Sequence, residues 1–217
     1  NMSILVTGGA GYIGSHTVVE LLNADREVVI VDDFSNSKPE VLDAIRQITG
    51  KDFKFYELNY LDRKKLDKVF KENNIEAVMN FAGFKAVGES VQKPIEYYTN
   101  NISGTLTLLD VMRENNVKKF VFSSSATVYG KPEVIPITEE CKTGGTTNPY
   151  GTSKLFIEQI LKDVYKSDNT WDIVILRYFN PIGAHESGLI GEEPQGIPNN
   201  LMPYIVRVAQ GTLQMVL

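Results

Sequence analysis

The sequence of 217 residues contains a single cysteine, Cys141, and only two histidines, His16 and His185. One thiol excludes an internal disulfide framework, and this donor set is too small for a zinc cluster; no metal is expected, and a reducing, cytoplasmic setting fits best. No apolar run approaches the roughly 20 residues that a membrane-spanning helix needs, and the N-terminus lacks the basic, apolar and small-residue order of a signal peptide. An excess of positive charge is missing too. The formal net charge is −5 and the pI near 5.2, which gives no general field attractive to nucleic acid or to an anionic membrane. Any phosphate must be held locally. Asn1 ahead of Met2 reads as a processing remnant and is set aside.

What is present is material for one sizeable core: 42% hydrophobic and 23% charged residues, enough for one domain or one and a fraction. Ser3–Thr7 is a short strand-forming run that stops at glycines, and Tyr12 to Leu22 is compatible with a helix. Val28 to Val31 is continuously apolar, as in a parallel strand covered on both faces, and it ends at Asp32-Asp33. Phe53 to Leu58, Ala77 to Met79, Lys119 to Phe122 and Ile173 to Leu176 read as further strands. Arg63 to Glu72, Gly104 to Glu114 and Lys154 to Tyr165 have helical spacing. Six strands alternating with helices predict an α/β fold with a doubly wound parallel sheet. After Arg177 the alternation gives way to a segment rich in Gly, Pro, Asn and Glu from Asn180 to Asn200, the kind of long loop that is functional or mobile. A final helix is expected from Leu201 to Ala209, and the apolar Leu213 to Leu217 reads as the entry to a strand.

Gly8-Gly9-Ala10-Gly11-Tyr12-Ile13-Gly14 follows the first strand directly and opens the first helix. Glycines alone can make such a tight turn, but the context is also that of a dinucleotide site. Gly8 can supply an unusual backbone angle, Gly11 lets main chain approach a pyrophosphate, and Gly14 permits close packing of the helix. Helix N-terminal N–H groups would face the anion. Asp32, at the end of the second strand and about twenty residues on, can accept from ribose hydroxyls and would repel a 2′-phosphate, which points to NAD over NADP. Solvation of a loop is the plainer alternative for Asp32-Asp33.

Tyr150 and Lys154 stand at i and i+4, on one face of the helix that begins there. A phenol titrates near 10, so its use as a base needs a shift of up to roughly three units, about 4 kcal/mol. Lys154 and a positively charged nicotinamide would each favour the phenolate. Ser125, last of Ser123-Ser124-Ser125, can bond the same substrate oxygen. The three together suit deprotonation of an alcohol while hydride leaves for a cofactor. A lone Tyr-x-x-x-Lys is more often an ordinary helix pair; the glycine turn and the serine strand end change that balance.

Longer words carry a resemblance: Thr7 to His16 (TGGAGYIGSH), Phe84 to Pro94 (FKAVGESVQKP), Phe122 to Gly130 (FSSSATVYG), Arg177 to Pro181 (RYFNP) and Gly196 to Tyr204 (GIPNNLMPY). In these the chain resembles the extended short-chain dehydrogenase/reductase family, and within it the UDP-glucose 4-epimerases. The resemblance covers essentially the whole chain. It implies a Rossmann-type NAD-binding domain over residues 2–179, with 180–217 beginning a smaller substrate-binding lobe, because family members continue well past the position of Leu217. It implies Tyr150 as acid/base, Lys154 on the nicotinamide ribose and Ser125 at the sugar. Gly8, Gly11, Tyr12, Ile13, Gly14, Asp32, Asn36, Ser37, Asn59, Tyr60, Phe81, Ala82, Gly83, Lys85, Asn100 and Phe179 would serve the NAD site, with Tyr150 and Lys154. Lys85, Ser125, Tyr150, Asn180, Asn200 and Leu201 would contact a UDP-hexose. The implied reaction removes hydride from C4 of the hexose, turns the 4-keto sugar and returns hydride to the opposite face, interconverting UDP-galactose and UDP-glucose in galactose metabolism. A homodimer is implied as well, with the helices from Gly104 and Tyr150 as the candidate paired faces.

Two positions depart from the family pattern. Asn59 stands where an aspartate usually addresses the adenine amino group; its amide oxygen can still accept, but with less charge assistance, which predicts weaker NAD binding and not its loss; Asn80 stands where a histidine is common. Sibling nucleotide-sugar dehydratases share the glycine turn and the Tyr-Lys pair, but elimination of water needs an extra acid and base beside the serine. Here Ala126 and Thr127 follow Ser125, which favours epimerisation. An NAD-binding chain without turnover is the rival reading. Tyr97, Tyr98 and Phe122 are expected to be core rather than cofactor contacts, His16 to pack or cap, and Lys118 and Lys119 to face solvent.

Overall fold

The computed structural model describes residues 1–214. Six parallel strands, β1 (Ser3–Thr7), β2 (Glu27–Asp32), β3 (Lys54–Glu57), β4 (Ile75–Asn80), β5 (Lys119–Ser125) and β6 (Asp172–Tyr178), form one sheet in the order β3-β2-β1-β4-β5-β6. The helices are α1 (Tyr12–Asn23), α2 (Glu40–Thr49), α3 (Arg63–Glu72), α4 (Val87–Gln92), α5 (Pro94–Tyr98), α6 (Gly104–Glu114), α7 (Pro149–Ser167) and α8 (Leu201–Ala209). A π-helical turn, Thr99–Ser103, joins α5 to α6, and a 3-10 turn, Ala126–Tyr129, follows β5.

β1 is buried along its whole length because helices cover both faces of the sheet, the reason its sequence is an unbroken apolar run. Leu5, Val29, Val31, Val78, Phe120 and Phe122 point into one core with α3, α6 and α7. Ile4, Val6, Val28 and Ile30 point into a second with α1 and α2. The chain reverses direction across the sheet between β1 and β4. Crevices at the strand ends of such a switch point are where parallel sheets bind ligands.

The six strands expected in the sheet are present; β2, β4, β5 and β6 are longer than the apolar pattern suggested and β3 is shorter. β5 runs through all three serines, since Ser123, Ser124 and Ser125 pair with Leu176, Arg177 and Tyr178 of β6. α7 starts at Pro149 rather than Lys154. Asn148 caps it, its Oδ1 accepting from Gly151 N at 2.8 Å, and proline fits the first helical position. α2 was not anticipated; only Leu42 and Ile45 are fully buried on it, so its apolar stripe is narrow. Leu213 lies in a turn bonded to Arg207 O, and the rest of the expected terminal strand, 215–217, lies outside the described residues. No described helix is long and apolar enough to cross a membrane.

Candidate active site

The glycine turn is dictated by backbone contact. Gly8 has φ +71°, a region that disfavours side chains, and a Cβ there would sit 2.7 Å from Ala82 N and from the Phe81 carbonyl carbon. Phe81 N donates to Thr7 O at 2.9 Å, so the ends of β1 and β4 are drawn together at the switch point. A Cβ on Gly14 would lie 2.2 Å from Gly8 O. Gly14 therefore packs the start of α1 onto the turn itself. No side chain caps α1 at Gly11, which leaves its first-turn N–H groups directed at the crevice.

Asp32, at the end of β2, is almost fully buried. Its Oδ2 accepts from Ala10 N at 3.0 Å; its Oδ1 accepts from Phe34 N and the Ser37 hydroxyl, each at 2.9 Å. Three donors fix the carboxylate and leave one of its roughly four lone-pair sites for a further donor. This carboxylate is part of the turn, so the reading of Asp32 as simple loop solvation does not describe it. Asn59 donates from Nδ2 to Asp33 at 3.0 Å and accepts Leu61 N at Oδ1, 2.9 Å. Its amide oxygen, expected to be open to a ligand, is already shared. The carboxylate nearest this point is that of Asp33.

Gly8, Gly11, Asp32, Asn36, Ser37, Asn59, Tyr60, Phe81, Ala82, Gly83, Lys85 and Asn100 line one crevice. Gly11, Asn36, Ser37 and Lys85 continue into a larger cleft of about 730 Å3, lined also by Tyr12, Ile13, Ser125, Tyr150, Lys154, Phe179, Asn180 and Asn200. Two expected residues stay out of both: Gly14, in the turn, and Leu201, at the start of α8 with 73% of its surface exposed. Tyr60 reaches the crevice but is anchored elsewhere, its hydroxyl donating to Asn100 O at 2.6 Å. Asn200 is turned onto Glu192. Ser123, Ser124, Thr127 and Glu192 line the large cleft without having been singled out; the triple serine was the available signal for the first two.

At the inner end of the large cleft, Thr127 donates to the Ser125 hydroxyl oxygen from both its N (3.2 Å) and its Oγ1 (2.9 Å). Ser125 is thus a double acceptor whose own proton is free to be donated into the cleft. Burial pushes the Tyr150 phenol up, and the Ser125 hydroxyl opposes that only in part. The lowering expected from Lys154 is not realised: its Nζ lies 5.8 Å from the Tyr150 ring centroid and donates to Ser123 O at 2.8 Å. Lys154 is itself brought down to about 7, by burial first and by the like charge of Lys85 second. Lys85 is exposed by surface area, but crowding of its ammonium by the surrounding protein also lowers it, against the attraction of Asp32 and Glu192.

The 180–200 segment is fastened at several points. Ile190 is buried in the core beside α1, Tyr12 donates to Gly183 O at 2.6 Å, and Lys38 pairs with Glu193 across the cleft mouth. His16 packs edge-on against Tyr12 and near His185. Lys118, expected in solvent, instead bonds Asp168 and Thr170.

The NAD dependent epimerase/dehydratase family matches residues 4–217. The UDP-glucose 4-epimerase of Pasteurella multocida is 66% identical over 212 residues, 98% of this chain and 63% of that protein; the mouse UDP-glucose 4-epimerase is 56% identical over 96% of this chain and 62% of its own. A crystal structure of the Bifidobacterium longum UDP-glucose 4-epimerase in complex with NAD+ and UDP superposes with a TM-score of 0.96 at 61% identity, covering 98% of this chain and 64% of that one. The chain spans about 63% of the length of curated relatives such as the Pasteurella multocida protein. By the extent of that match, and by the crevice at the β1–β4 switch point that it includes, this chain belongs to the NAD dependent epimerase/dehydratase family.

Proposed function

We propose that this chain binds NAD and carries the acid/base group of a UDP-glucose 4-epimerase, interconverting UDP-galactose and UDP-glucose through a 4-keto sugar. The observation that carries the reading is the single cleft in which Ser125, Tyr150 and Lys154 stand beside the glycine turn, in a chain 66% identical to a UDP-glucose 4-epimerase. The residues present fit NAD: uncapped N–H groups at α1 for the pyrophosphate, and a fixed Asp32 with one acceptor site left for a ribose hydroxyl. When bound, NAD supplies the hydride acceptor and donor, and its charged nicotinamide favours ionisation of the phenol. Tyr150 takes the proton of the sugar hydroxyl and returns it. Ser125 donates to the same oxygen, its proton left free by the two bonds it accepts from Thr127. Lys154, as ammonium, holds the nicotinamide ribose and stabilises the phenolate.

Residues 2–179 form the NAD-binding domain in this reading, and 180–217 begin the substrate-binding region that would seat the uridine end through Asn180 and Asn200. The exposed apolar residues Leu106 on α6 and Phe156 on α7 support pairing of these helices between two copies. The setting proposed is the cytoplasm.

The exposure of Phe179 and Leu201 on the outer side of the cleft supports a second reading, NAD binding without turnover. Incubating the purified chain with UDP-galactose and analysing products separates them. UDP-glucose is the expected product, no conversion with NAD bound supports the second reading, and a 4-keto-6-deoxy sugar overturns epimerisation.

A further inference from the structure

One turn along α7 from Lys154 lies a charged cluster that the proposed chemistry does not use. Glu158, on α7, is 1% exposed, and Tyr129, at the end of the 3-10 turn after β5, is 5% exposed. Arg177, near the end of β6, stands between them. Its Nε and Nη2 both pair with Glu158 Oε1 at 2.9 Å, and its Nη1 donates to the Tyr129 hydroxyl, also at 2.9 Å. The guanidinium carbon lies 4.9 Å from the Tyr129 ring centroid. One planar fork thus joins three elements.

We propose that Arg177 is a positioning residue: through Glu158 and Tyr129 it fixes α7 against the ends of β5 and β6, and so sets how Tyr150 and Lys154 stand against Ser125.

Each element in the cluster carries part of the site. Tyr150, Lys154 and Glu158 follow one another at intervals of four on α7, which places them along one face. Tyr129 ends the same turn whose Thr127 donates twice to Ser125. Arg177 lies opposite Ser124 in the β5–β6 pairing and two residues before Phe179, which lines the large cleft. β6 is an edge strand, paired with β5 alone among the described residues. Ile173 and Ile175 pack its lower part against the core that α7 covers. At the next position on that face, nearest the cleft, the tie to α7 is the Arg177 fork.

Stability is a poor reason for such a cluster. Taking two charges out of water is costly unless the remaining lone pairs find donors, and apolar residues of similar size often serve as well or better. Here Glu158 Oε2 is buried with no partner among the described residues, and so is Ser124 Oγ on β5. What the pair supplies is direction. The rigid guanidinium aims its N–H groups at fixed angles, whereas an apolar contact can slide. The importance of this register for turnover rests on the epimerase reading; the register itself does not.

Lys154 reports the register. It faces the Phe122 ring and Ser123 O from β5, Tyr150 from its own helix and Lys85 from the stretch after β4. The test is a pH titration of the 217-residue chain by NMR with 13Cε-lysine, Lys154 being assigned with Lys154→Arg. In the parent chain the Lys154 midpoint is expected near 7. Arg177→Lys keeps the charge but loses the fork, and the midpoint should rise by about half a pH unit or more as α7 loosens and water enters. Tyr129→Phe cuts one arm only and should raise it by less. The double variant Glu158→Met with Arg177→Met should unfold at the same urea concentration or a higher one, yet show the raised Lys154 midpoint. Ile45→Ala, fully buried on α2 across the sheet, should destabilise the chain and leave the midpoint in place. An unchanged midpoint in both Arg177→Lys and the double variant overturns the proposal; if neither folds, an unchanged Tyr129→Phe does so alone. A shift in Ile45→Ala equal to that in the cluster variants also overturns it. No ligand enters the titration, so failure of NAD binding leaves its outcome independent.

Discussion

The two halves of the sheet are finished to different degrees. β1 and β2 are buried almost throughout, and the turn that follows β1 leaves no room for a side chain at Gly8 or Gly14, where a Cβ would fall 2.2 to 2.8 Å from backbone atoms, and is held by a carboxylate with three donors. β6, an edge strand, alternates between exposed and half-buried positions, with Val174 49% and Leu176 37% exposed. Phe179, which follows it, is 60% exposed and Leu201 73%. In the proposed reading the adenosine would lie at the closed end, built by β1, β2 and their turn, whereas the sugar would lie in an open cleft whose outer residues are exposed. This difference predicts a chain that holds a cofactor well and a sugar nucleotide poorly.

The largest effect should come from the chemistry at the inner end of that cleft. Tyr150→Phe removes the proton carrier and should lower sugar conversion about 100- to 10,000-fold while leaving NAD binding within about twofold, read by product analysis and calorimetry. At the closed end, Gly14→Ala places a methyl 2.2 Å from a backbone oxygen with no flexible neighbour to yield. It should cost about 3 kcal/mol in thermal or denaturant unfolding and lose NAD binding together with it. Asp32→Asn keeps the shape and should weaken NAD by roughly 10- to 100-fold, about 1.5–3 kcal/mol, while narrowing the preference over NADP.

Lys154 tests the comparison from the side of stability. Its folded value, about 7, lies below the ordinary lysine value, so the unfolded chain binds more protons between the two and stability contributed by this group rises with pH across that window. Below about 7 the buried ammonium is a full cost. Lys154→Met should raise stability at pH 6 by more than about 1 kcal/mol, with the gain shrinking as pH rises through 7 to 10, measured by urea unfolding. Phe179→Ala, on the open side, should change stability by less than about 0.5 kcal/mol.

The alternation of six strands with helices, and the residues that line the inner end of the cleft, were legible in the sequence because they are marked by local chemistry. An apolar run ending in glycines, an acidic strand end and a Tyr-x-x-x-Lys each have one physical reason to exist. What was hidden depends on contacts far apart in the chain. Asn101 reads as an ordinary helix-flanking asparagine; only the π-helical turn shows that it reaches Phe84 and Ser153. Asn59 reads as an open acceptor, and the structure spends its amide on Leu61 and Asp33. The Tyr150 shift ran opposite to expectation because i,i+4 spacing fixes a shared face but not the distance between Nζ and the phenol, and burial dominates at that distance. α2 escaped notice because a helix covering one edge of a core needs few apolar positions.

The most direct test is calorimetric titration of NAD into the purified 217-residue chain, alongside the Asp32→Asn variant. Saturable one-to-one binding that weakens in the variant is the predicted result; absence of NAD binding to the folded parent chain would contradict the account at its centre.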